Sequence, residues 1–199
     1  MGKIDFNKKQ KREALLNTAF DLFSSKGINE TSISDIVNKA GVAKGIFYLY
    51  FRDKYDIRNF LISHKASHVF GTALEALEKT DIENVEDKII FMIDQIIKQL
   101  AQDKFLLTFI SKNLSWGFFK TALIEKRNDD DIDFLNIYTK MLHESNKNFV
   151  DPEIMLFMII ELISSTCYSA ILYEEPVSLD KLKPYLYKEV RHIIQSHEQ

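Results

Sequence analysis

A short segment of the sequence, residues 43–50, carries side chains that could bind a nucleic acid. The segment reads Ala43-Lys44-Gly45-Ile46-Phe47-Tyr48-Leu49-Tyr50. In a helix, Phe47 and the following Phe51 would turn inward, and Lys44, Gly45 and Tyr48 would then face outward. A lysine can bind phosphate or guanine acceptors, a glycine lets the backbone come close, and a tyrosine offers a hydroxyl and a ring. The outward face therefore suits a helix that enters the major groove of DNA.

The residues around this segment supply the elements that would position it. Ser32 and Asp35 have the spacing of a capping box and predict the start of a short helix. Gly41 ends that helix, and a turn of about three residues leads into the second helix. Residues 32–51 therefore form a helix-turn-helix pattern, whose second helix can lie in the major groove.

Apolar spacing predicts helices along the rest of the chain. Residues 8–26 form an amphipathic helix, and Asp53 can cap a long helix that continues to about Glu78. Further candidate helices cover residues 84–101, 104–120, 131–147, 152–173 and about 179–196. The chain of 199 residues has only 6 Gly and 3 Pro, which also favours long helices joined by short turns. We therefore predict an all-α fold.

The charge of the chain is divided unevenly. Residues 1–65 contain 12 Lys or Arg and 7 Asp or Glu, a net charge of +5, whereas residues 66–199 contain 14 and 22, a net charge of −8. A basic region ahead of an acidic one is typical of a protein that meets phosphate at one end. We predict two domains, a helix-turn-helix DNA-binding domain over 1–65 and a larger helical domain over 66–199.

Four stretches of this region resemble the DNA-binding signature of the TetR family of transcriptional regulators. They are Thr31-Ser32-Ile33-Ser34-Asp35-Ile36, Ala40-Gly41-Val42-Ala43-Lys44-Gly45, Phe47-Tyr48-Leu49-Tyr50-Phe51 and Asp53-Lys54. The resemblance covers about residues 8–65, a third of the chain. It implies a sequence-specific regulator, most simply a repressor that binds a palindromic operator in double-stranded DNA and is released by a ligand.

The resemblance also assigns roles to individual residues. Lys44, Gly45 and Tyr48 fall on base-reading or groove-lining positions. The positions that contact phosphate are occupied by Ser32, Tyr50 and Lys54. Ile46 departs from the family pattern, because a small hydroxyl residue is common there; the change removes a polar contact and could add a thymine-methyl contact.

The same resemblance implies a homodimer formed by the last two helices. The final helix has a narrow apolar stripe, and the preceding one is apolar nearly all round, so one side could face a partner. The interface residues that we predict are Ile160, Ile171, Leu182, Leu186, Val190 and Ile193. The alternative is that both helices are internal core.

A small-molecule effector is a further implication of the resemblance, with a pocket between the middle helices. The residues predicted to line it are Phe91, Phe109, Trp116, Phe119, Met141 and Tyr168. These residues could equally form solid core. In that case the chain would be a DNA-binding protein without an effector, acting through protein partners.

Other classes of function find little support. The sequence has no Gly-rich phosphate loop, HExxH, nucleophile elbow or C-x-x-C, so we predict no enzyme, catalytic residue, cofactor or metal site. The single cysteine, Cys167, cannot form an intrachain disulfide. Residues 154–172 approach membrane-spanning length, but they include Glu161 and several hydroxyl side chains and have acidic flanks. With no apolar signal segment near Met1, we predict a cytoplasmic protein that does not enter the membrane.

Overall fold

The computed structural model describes residues 3–111 and 133–199, which are helical apart from turns and one isolated bridge between Phe149 and Glu198. The helices are α1 (Lys3–Lys26), α2 (Ile33–Ala40), α3 (Lys44–Tyr50), α4 (Lys54–Leu77), α5 (Val85–Gln102), α6 (Lys104–Ser111), α7 (Phe134–Glu144), α8 (Pro152–Tyr173) and α9 (Leu179–Ser196). The prediction of an all-α fold is confirmed. The chain divides into two compact units, one up to His64 and one from Lys65 onward, and α4 runs through the boundary.

The first unit has a small aromatic and aliphatic core. Phe47 of α3 is fully buried, and its ring lies 5.7 Å from that of Phe51 and within an edge contact of Tyr48. The Phe51 ring in turn lies 5.9 Å from that of Phe60 on α4. Phe47 and Phe51 therefore turn inward as predicted, and their burial fixes which side of α3 faces outward.

Local capping defines the helices of this unit. The Ser32 hydroxyl accepts a bond from the backbone N–H of Asp35, and the Asp35 carboxylate accepts one from the N–H of Ser32, which confirms the predicted capping box. Gly41 ends α2 with a φ of +67°, a left-handed conformation that costs glycine little. The carboxylate of Asp53 accepts bonds from the N–H groups of Tyr55 and Asp56, as expected for the cap of α4.

The second unit has its core around the buried side of α8. Buried α8 residues include Met155, Ile159, Cys167 and Ile171. Among the described helices, α8 is the one long and apolar enough to cross a membrane, and 33% of its most apolar stretch is buried inside the protein. Those buried residues belong to the core of the unit, which is the usual reason for an apolar helix in a folded domain.

Helices α5 and α9 both contribute to this core and also make a charged contact with each other. The Asp94 carboxylate accepts bonds from the Lys183 ammonium at 2.8 Å and from the Tyr187 hydroxyl, and it also pairs with Lys98 at 2.6 Å. Burial opposes ionisation of Asp94, but these three hydrogen bonds outweigh it and lower the pKa to about 2. The carboxylate is therefore ionised at neutral pH and anchors α5 to α9.

A second ionic group lies nearer the start of α5. Glu86 is 8% exposed and pairs with Lys147 at 3.2 Å and with Arg191 of α9 at 3.6 Å. Arg191 also contacts the Asp87 carboxylate at 2.6 Å. Because each buried charge has a partner of opposite sign, the α5–α9 contact can be polar without leaving an unpaired ion.

Candidate nucleic-acid interface and ligand cavity

The outer face of α3 presents a continuous strip of exposed residues. Lys44, Gly45, Tyr48 and Leu49 have the helical spacing i, i+1, i+4 and i+5, and all four are exposed. Tyr48 is 53% exposed and Leu49 is 73% exposed. Ile46 is half-buried, so its side chain lies at the edge of this strip. The burial of Phe47 thus turns the predicted base-reading side chains outward together.

Leu49 is a member of this strip that sequence reasoning missed. A leucine in a short aromatic helix is normally expected to be buried in the core. Here Phe47 occupies the core instead, and Leu49 is exposed. The signal was the spacing, because Leu49 follows Gly45 by four residues and Tyr48 by one. An exposed apolar side chain on such a face can contact a thymine methyl, the apolar feature of the major groove.

Ser32 lies on the surface at the start of α2. Its hydroxyl oxygen accepts the Asp35 N–H at 3.1 Å, which leaves its own hydrogen free to donate to an outside acceptor. A 2.8 Å bond from the Lys26 ammonium, assisted by the Ser32 backbone N–H, lowers the pKa of Asp35 to about 2. The capping box is therefore charged at neutral pH, and Ser32 remains available for a phosphate.

Tyr50 and Lys54 are both engaged with backbone of the first unit. The Tyr50 hydroxyl donates to the Lys8 carbonyl oxygen at 3.2 Å and can still accept a bond. The Lys54 ammonium donates to three carbonyl oxygens of the turn between α1 and α2. These are the oxygens of Ile28 at 2.9 Å, Asn29 at 3.1 Å and Thr31 at 3.1 Å. An ammonium has three N–H donors, so the phosphate contact predicted for Lys54 does not fit this arrangement.

The start of α1 adds exposed positive charge to the first unit. Lys8, Lys9 and Lys11 are exposed, whereas the Arg12 guanidinium lies 4.4 Å from the centre of the Phe60 ring. Stacking of this kind uses the cation to hold α1 against α4. The exposed side chains of Lys8 and Lys11 are therefore accessible to a phosphate group.

The second unit contains an apolar cavity of about 150 Å³ between α4, α5, α6, α7 and α8. Residues from each of these helices line it, among them Phe70, Ile93, Leu107, Tyr138, Met141 and Leu156. The polar groups of the wall include Glu161, Ser164 and the thiol of Cys167. Burial raises the pKa of that thiol to about 11, so it is neutral at physiological pH. The cavity is thus shaped for the apolar part of a ligand.

Only one of the predicted pocket residues within the described part of the chain lines this cavity. Met141 lines it, whereas Phe91, Phe109 and Tyr168 are not among its lining residues. Phe91 instead packs on a separate small cluster with Ala73, and Phe109 is buried next to Phe105. Trp116 and Phe119 lie outside the described residues. The physical reason is that the cavity wall is mainly aliphatic, contributed by the inner faces of α5 and α8, and aromatic content alone did not identify it.

Part of the first unit is similar to a known protein family. Residues 15–59 match the family model described as bacterial regulatory proteins of the tetR family. The match includes α2, the turn at Gly41, the whole of α3 and the first turn of α4. Over these residues the chain is similar to the TetR family.

Relatives of this chain agree mainly over the same region. An uncharacterised helix-turn-helix transcriptional regulator of Bacillus subtilis, YvdT, is 43% identical over 68 residues, which are 34% of this chain and 33% of that protein. The aligned region therefore spans about a third of that relative. The fatty acid metabolism regulator protein of the same bacterium is 26% identical over 179 residues, covering 86% of this chain and 89% of that protein.

Solved structures extend the similarity in fold to most of the chain. The transcriptional regulator FadR from Bacillus subtilis, in complex with stearoyl-CoA, has a TM-score of 0.65 with 21% identity, covering 89% of this chain and 96% of that one. The fatty acid degradation regulator FadR from Bacillus halodurans also has a TM-score of 0.65, with 19% identity, and covers 89% of this chain and 96% of its own. At this identity the likeness concerns the fold.

The structure places the predicted dimer residues in different environments. Ile171, Leu186 and Val190 are buried in the core of their own unit, and Ile160 lines the cavity. Ile171, Leu186 and Val190 therefore have little surface left for a second copy, whereas Ile160 is half-buried. Leu182 and Ile193 are half-buried, and of these Ile193 borders a surface groove between α8 and α9.

That groove carries the exposed apolar residues of α8. Its lining consists of Phe157, Met158, Glu161, Leu162, Glu189, His192, Ile193 and Ser196. Phe157 is 37% exposed and Met158 is 43% exposed, although both are large apolar side chains. An apolar surface of this kind, rimmed by charged residues, is typical of a protein contact.

Within residues 3–111 and 133–199, no three His, Cys, Asp or Glu side chains converge as a metal-ion site requires.

Proposed function

We propose that this protein is a cytoplasmic, sequence-specific DNA-binding transcriptional regulator whose recognition helix is α3. The observation that carries the proposal is the exposed strip of Lys44, Gly45, Tyr48 and Leu49 on a helix fixed from behind by Phe47. The family match over residues 15–59 supports the same reading. Ile46 lies at the edge of the strip, and Ser32 and Tyr50 flank it with hydroxyl groups that can meet phosphate.

The regulator acts as a homodimer on a palindromic operator. One helix-turn-helix reads only a few base pairs, and a two-fold dimer reads two half-sites that are a helical turn or more apart. The groove between α8 and α9, with Phe157, Met158 and Ile193, is the surface that would face the second copy. This surface shares Ile193 with the interface predicted from the sequence and adds exposed residues of α8.

The DNA proposal is tested by selecting the purified protein against random duplexes at fixed, near-physiological salt, followed by sequencing. We expect a palindrome. Lys44→Met and Tyr48→Ala should each weaken binding to it by about tenfold, since a good base or phosphate contact contributes about 1–3 kcal/mol. Lys79→Met is the matched control, because it removes an exposed positive charge from the second unit. Enrichment of no sequence by the folded protein would overturn the proposal.

The effector is a small molecule with an apolar portion that enters the cavity, and its binding weakens the grip on the operator. An engineered cavity of similar volume holds a benzene molecule, so about 150 Å³ accommodates roughly six carbon atoms. The FadR structure with stearoyl-CoA points to acyl-CoA as one candidate class. Coupling between such sites commonly changes affinity by roughly 5–150-fold.

The effector proposal is tested by measuring the melting temperature of the protein in the presence of acyl-CoAs with chains of six to eighteen carbons. CoA alone is the control. We expect acyl-CoA, and not CoA, to raise the melting temperature and to release the operator. Ile160→Trp, which fills part of the cavity, should abolish both effects while operator binding persists. If no apolar ligand acts, the alternative is a DNA-binding protein without an effector that works through protein partners.

A further inference from the structure

The side chain of Lys54 connects two parts of the first unit that are far apart in sequence. Lys54 is the first residue of α4, and its acceptors lie 23 to 26 residues earlier, in the turn that joins α1 to α2. The turn follows Gly27, which ends α1 with a φ of +83°. Carbonyl oxygens at a helix end and in a turn have few backbone partners, and they carry partial negative charge.

The contact leaves Lys54 no donor for another ligand. The ammonium nitrogen lies 2.9–3.1 Å from three carbonyl oxygens, as many acceptors as it has N–H groups, and the side chain is half-buried. A phosphate at this position could be bound only after at least one of these bonds is broken. A lysine that served as a phosphate ligand would instead be expected to extend into solvent, as Lys44 does.

The acceptor turn leads directly into the capping box of α2. Thr31, whose carbonyl accepts from Lys54, is itself 1% exposed, and its hydroxyl donates to the Gly27 carbonyl at 2.7 Å. The next residue is Ser32, the N-cap of α2. Fixing the Thr31 carbonyl therefore fixes the point from which α2 starts, and α2 sets α3 through the short turn at Gly41.

We propose that Lys54 is a positioning residue, which clamps the α1–α2 turn to α4 and so holds α2 and α3 in their DNA-reading arrangement, without binding phosphate itself. The inference rests on the proposed DNA-binding function for its consequence, but the clamp exists in the free protein. Its two parts can therefore be measured separately.

The first measurement needs no DNA. Hydrogen exchange of the intact protein should be faster for the amides of residues 28–32 in Lys54→Met than in the wild type. Lys44→Met, which removes an exposed lysine from α3, should leave these amides unchanged. Lys54→Arg keeps a charged donor group and should restore most of the protection. Unchanged exchange in Lys54→Met would overturn the proposal, whether or not the protein binds DNA.

The second measurement uses the selected operator and varies the salt concentration. Loss of one phosphate contact per half-site lowers the slope of log affinity against log salt by about 0.9 per contact, or about 2 for a dimer. We expect Lys54→Met to weaken binding by about tenfold at every salt concentration, with a slope close to that of the wild type. For Lys44→Met we expect a reduced slope, and for Lys54→Arg an affinity close to that of the wild type.

The outcomes separate the clamp from the DNA-binding function. A slope that falls as much in Lys54→Met as in Lys44→Met would make Lys54 a phosphate ligand and overturn the proposal. If the wild type selects no DNA, the proposed function fails, while the exchange result still decides the clamp. Should Lys54→Met not fold, Lys54→Gln, which keeps two N–H donors on a shorter and uncharged side chain, is measured in the same two ways.

Discussion

The carboxylate of Asp94 accepts hydrogen bonds from three side chains. Lys183, Tyr187 and Lys98 all donate to it, and the side chain is 22% exposed. The shift of its pKa from 3.8 to about 2 is a measure of how much better the folded protein stabilises the ionised form. Because Asp94 belongs to the cavity-lining helix and its partners include two residues of α9, this carboxylate joins the wall of the cavity to the last helix.

We expect Asp94→Asn to lower the free energy of unfolding by about 2 kcal/mol at neutral pH. A carboxyl whose folded pKa is depressed stabilises the protein above its unfolded pKa, near 3.9, and that contribution disappears as the pH falls through about 2. The measurement is urea denaturation of both proteins between pH 2 and 7, and the two curves should converge at the acid end. Glu144→Gln, which removes an exposed pair with Lys140, is the control and should change little. A pH-independent difference would contradict the assignment.

For several residues, the sequence pattern predicted the kind of contact but not which part of the protein the residue contacts. The stripe on α9 correctly predicted an apolar face, but spacing does not tell whether the covering surface is the same chain or a second copy. Leu186 and Val190 turned out to be covered by their own unit. For Lys54 the family pattern assigned a phosphate, whereas the structure directs its ammonium to a turn more than twenty residues away. Contacts over such separations follow from the fold and not from local spacing.

At the scale of elements, helix ends were predictable where the capping chemistry is local. The capping box of Ser32 and the glycine stop at Gly41 both appear at the predicted residues. Helix α7 was predicted over 131–147 but begins after the Asp133 cap and ends at Glu144, since Ser145 closes it and Asn146 has a left-handed φ of +56°. The predicted helix was too long at both ends, where acidic and other polar residues follow the helical spacing. Spacing alone does not show which of these polar residues caps the end of the helix.

Gly41 and Gly45 provide a matched test of the turn between α2 and α3. A Cβ at either position would meet no other atom within 4 Å, so only backbone conformation separates them. Gly41→Ala places a side chain on a left-handed residue, and we expect a loss of about 1–2 kcal/mol. Gly45→Ala lies inside α3 and should stabilise the unit by up to about 1 kcal/mol, although it brings a methyl group to the DNA-facing strip.

Chemical denaturation, followed by helical circular dichroism, measures both glycine variants. Asn is tolerated in the left-handed region, so Gly41→Asn should be less harmful than Gly41→Ala. Operator affinity provides the second comparison, because Gly45→Ala should bind more weakly despite its greater stability. Equal stability of the two alanine variants would show that the turn does not depend on the left-handed residue.

At the scale of the whole molecule, the two units differ in the charge that they present to DNA. The net charges of +5 for residues 1–65, which are the first unit and Lys65, and −8 for residues 66–199 favour approach through the first unit and disfavour approach through the second. Composition was sufficient to predict this division. The apolar groove on α8 was not predictable in the same way, since that helix is apolar on its buried and its exposed sides alike, and only the packing of the other helices distinguishes them.

Association of two copies through this groove can be tested at Met158. The side chain is 43% exposed in the groove, beside Glu161, so Met158→Asp would place two carboxylates on each copy of a two-fold contact. We expect the variant to be monomeric at micromolar concentration in size-exclusion chromatography with light scattering, because charges buried without partners oppose association. Its helical content should match that of the wild type, since the position is outside the core.

Operator binding shows whether this association matters for function. A monomer meets only one half-site, so Met158→Asp should lose most of its affinity for the palindrome while keeping weak, salt-sensitive binding to any duplex. Thr72→Asp, which adds the same charge to an exposed position on α4, is the control and should remain dimeric. A dimeric Met158→Asp with normal operator affinity would place the contact between copies elsewhere on the second unit, and the groove would then need another occupant.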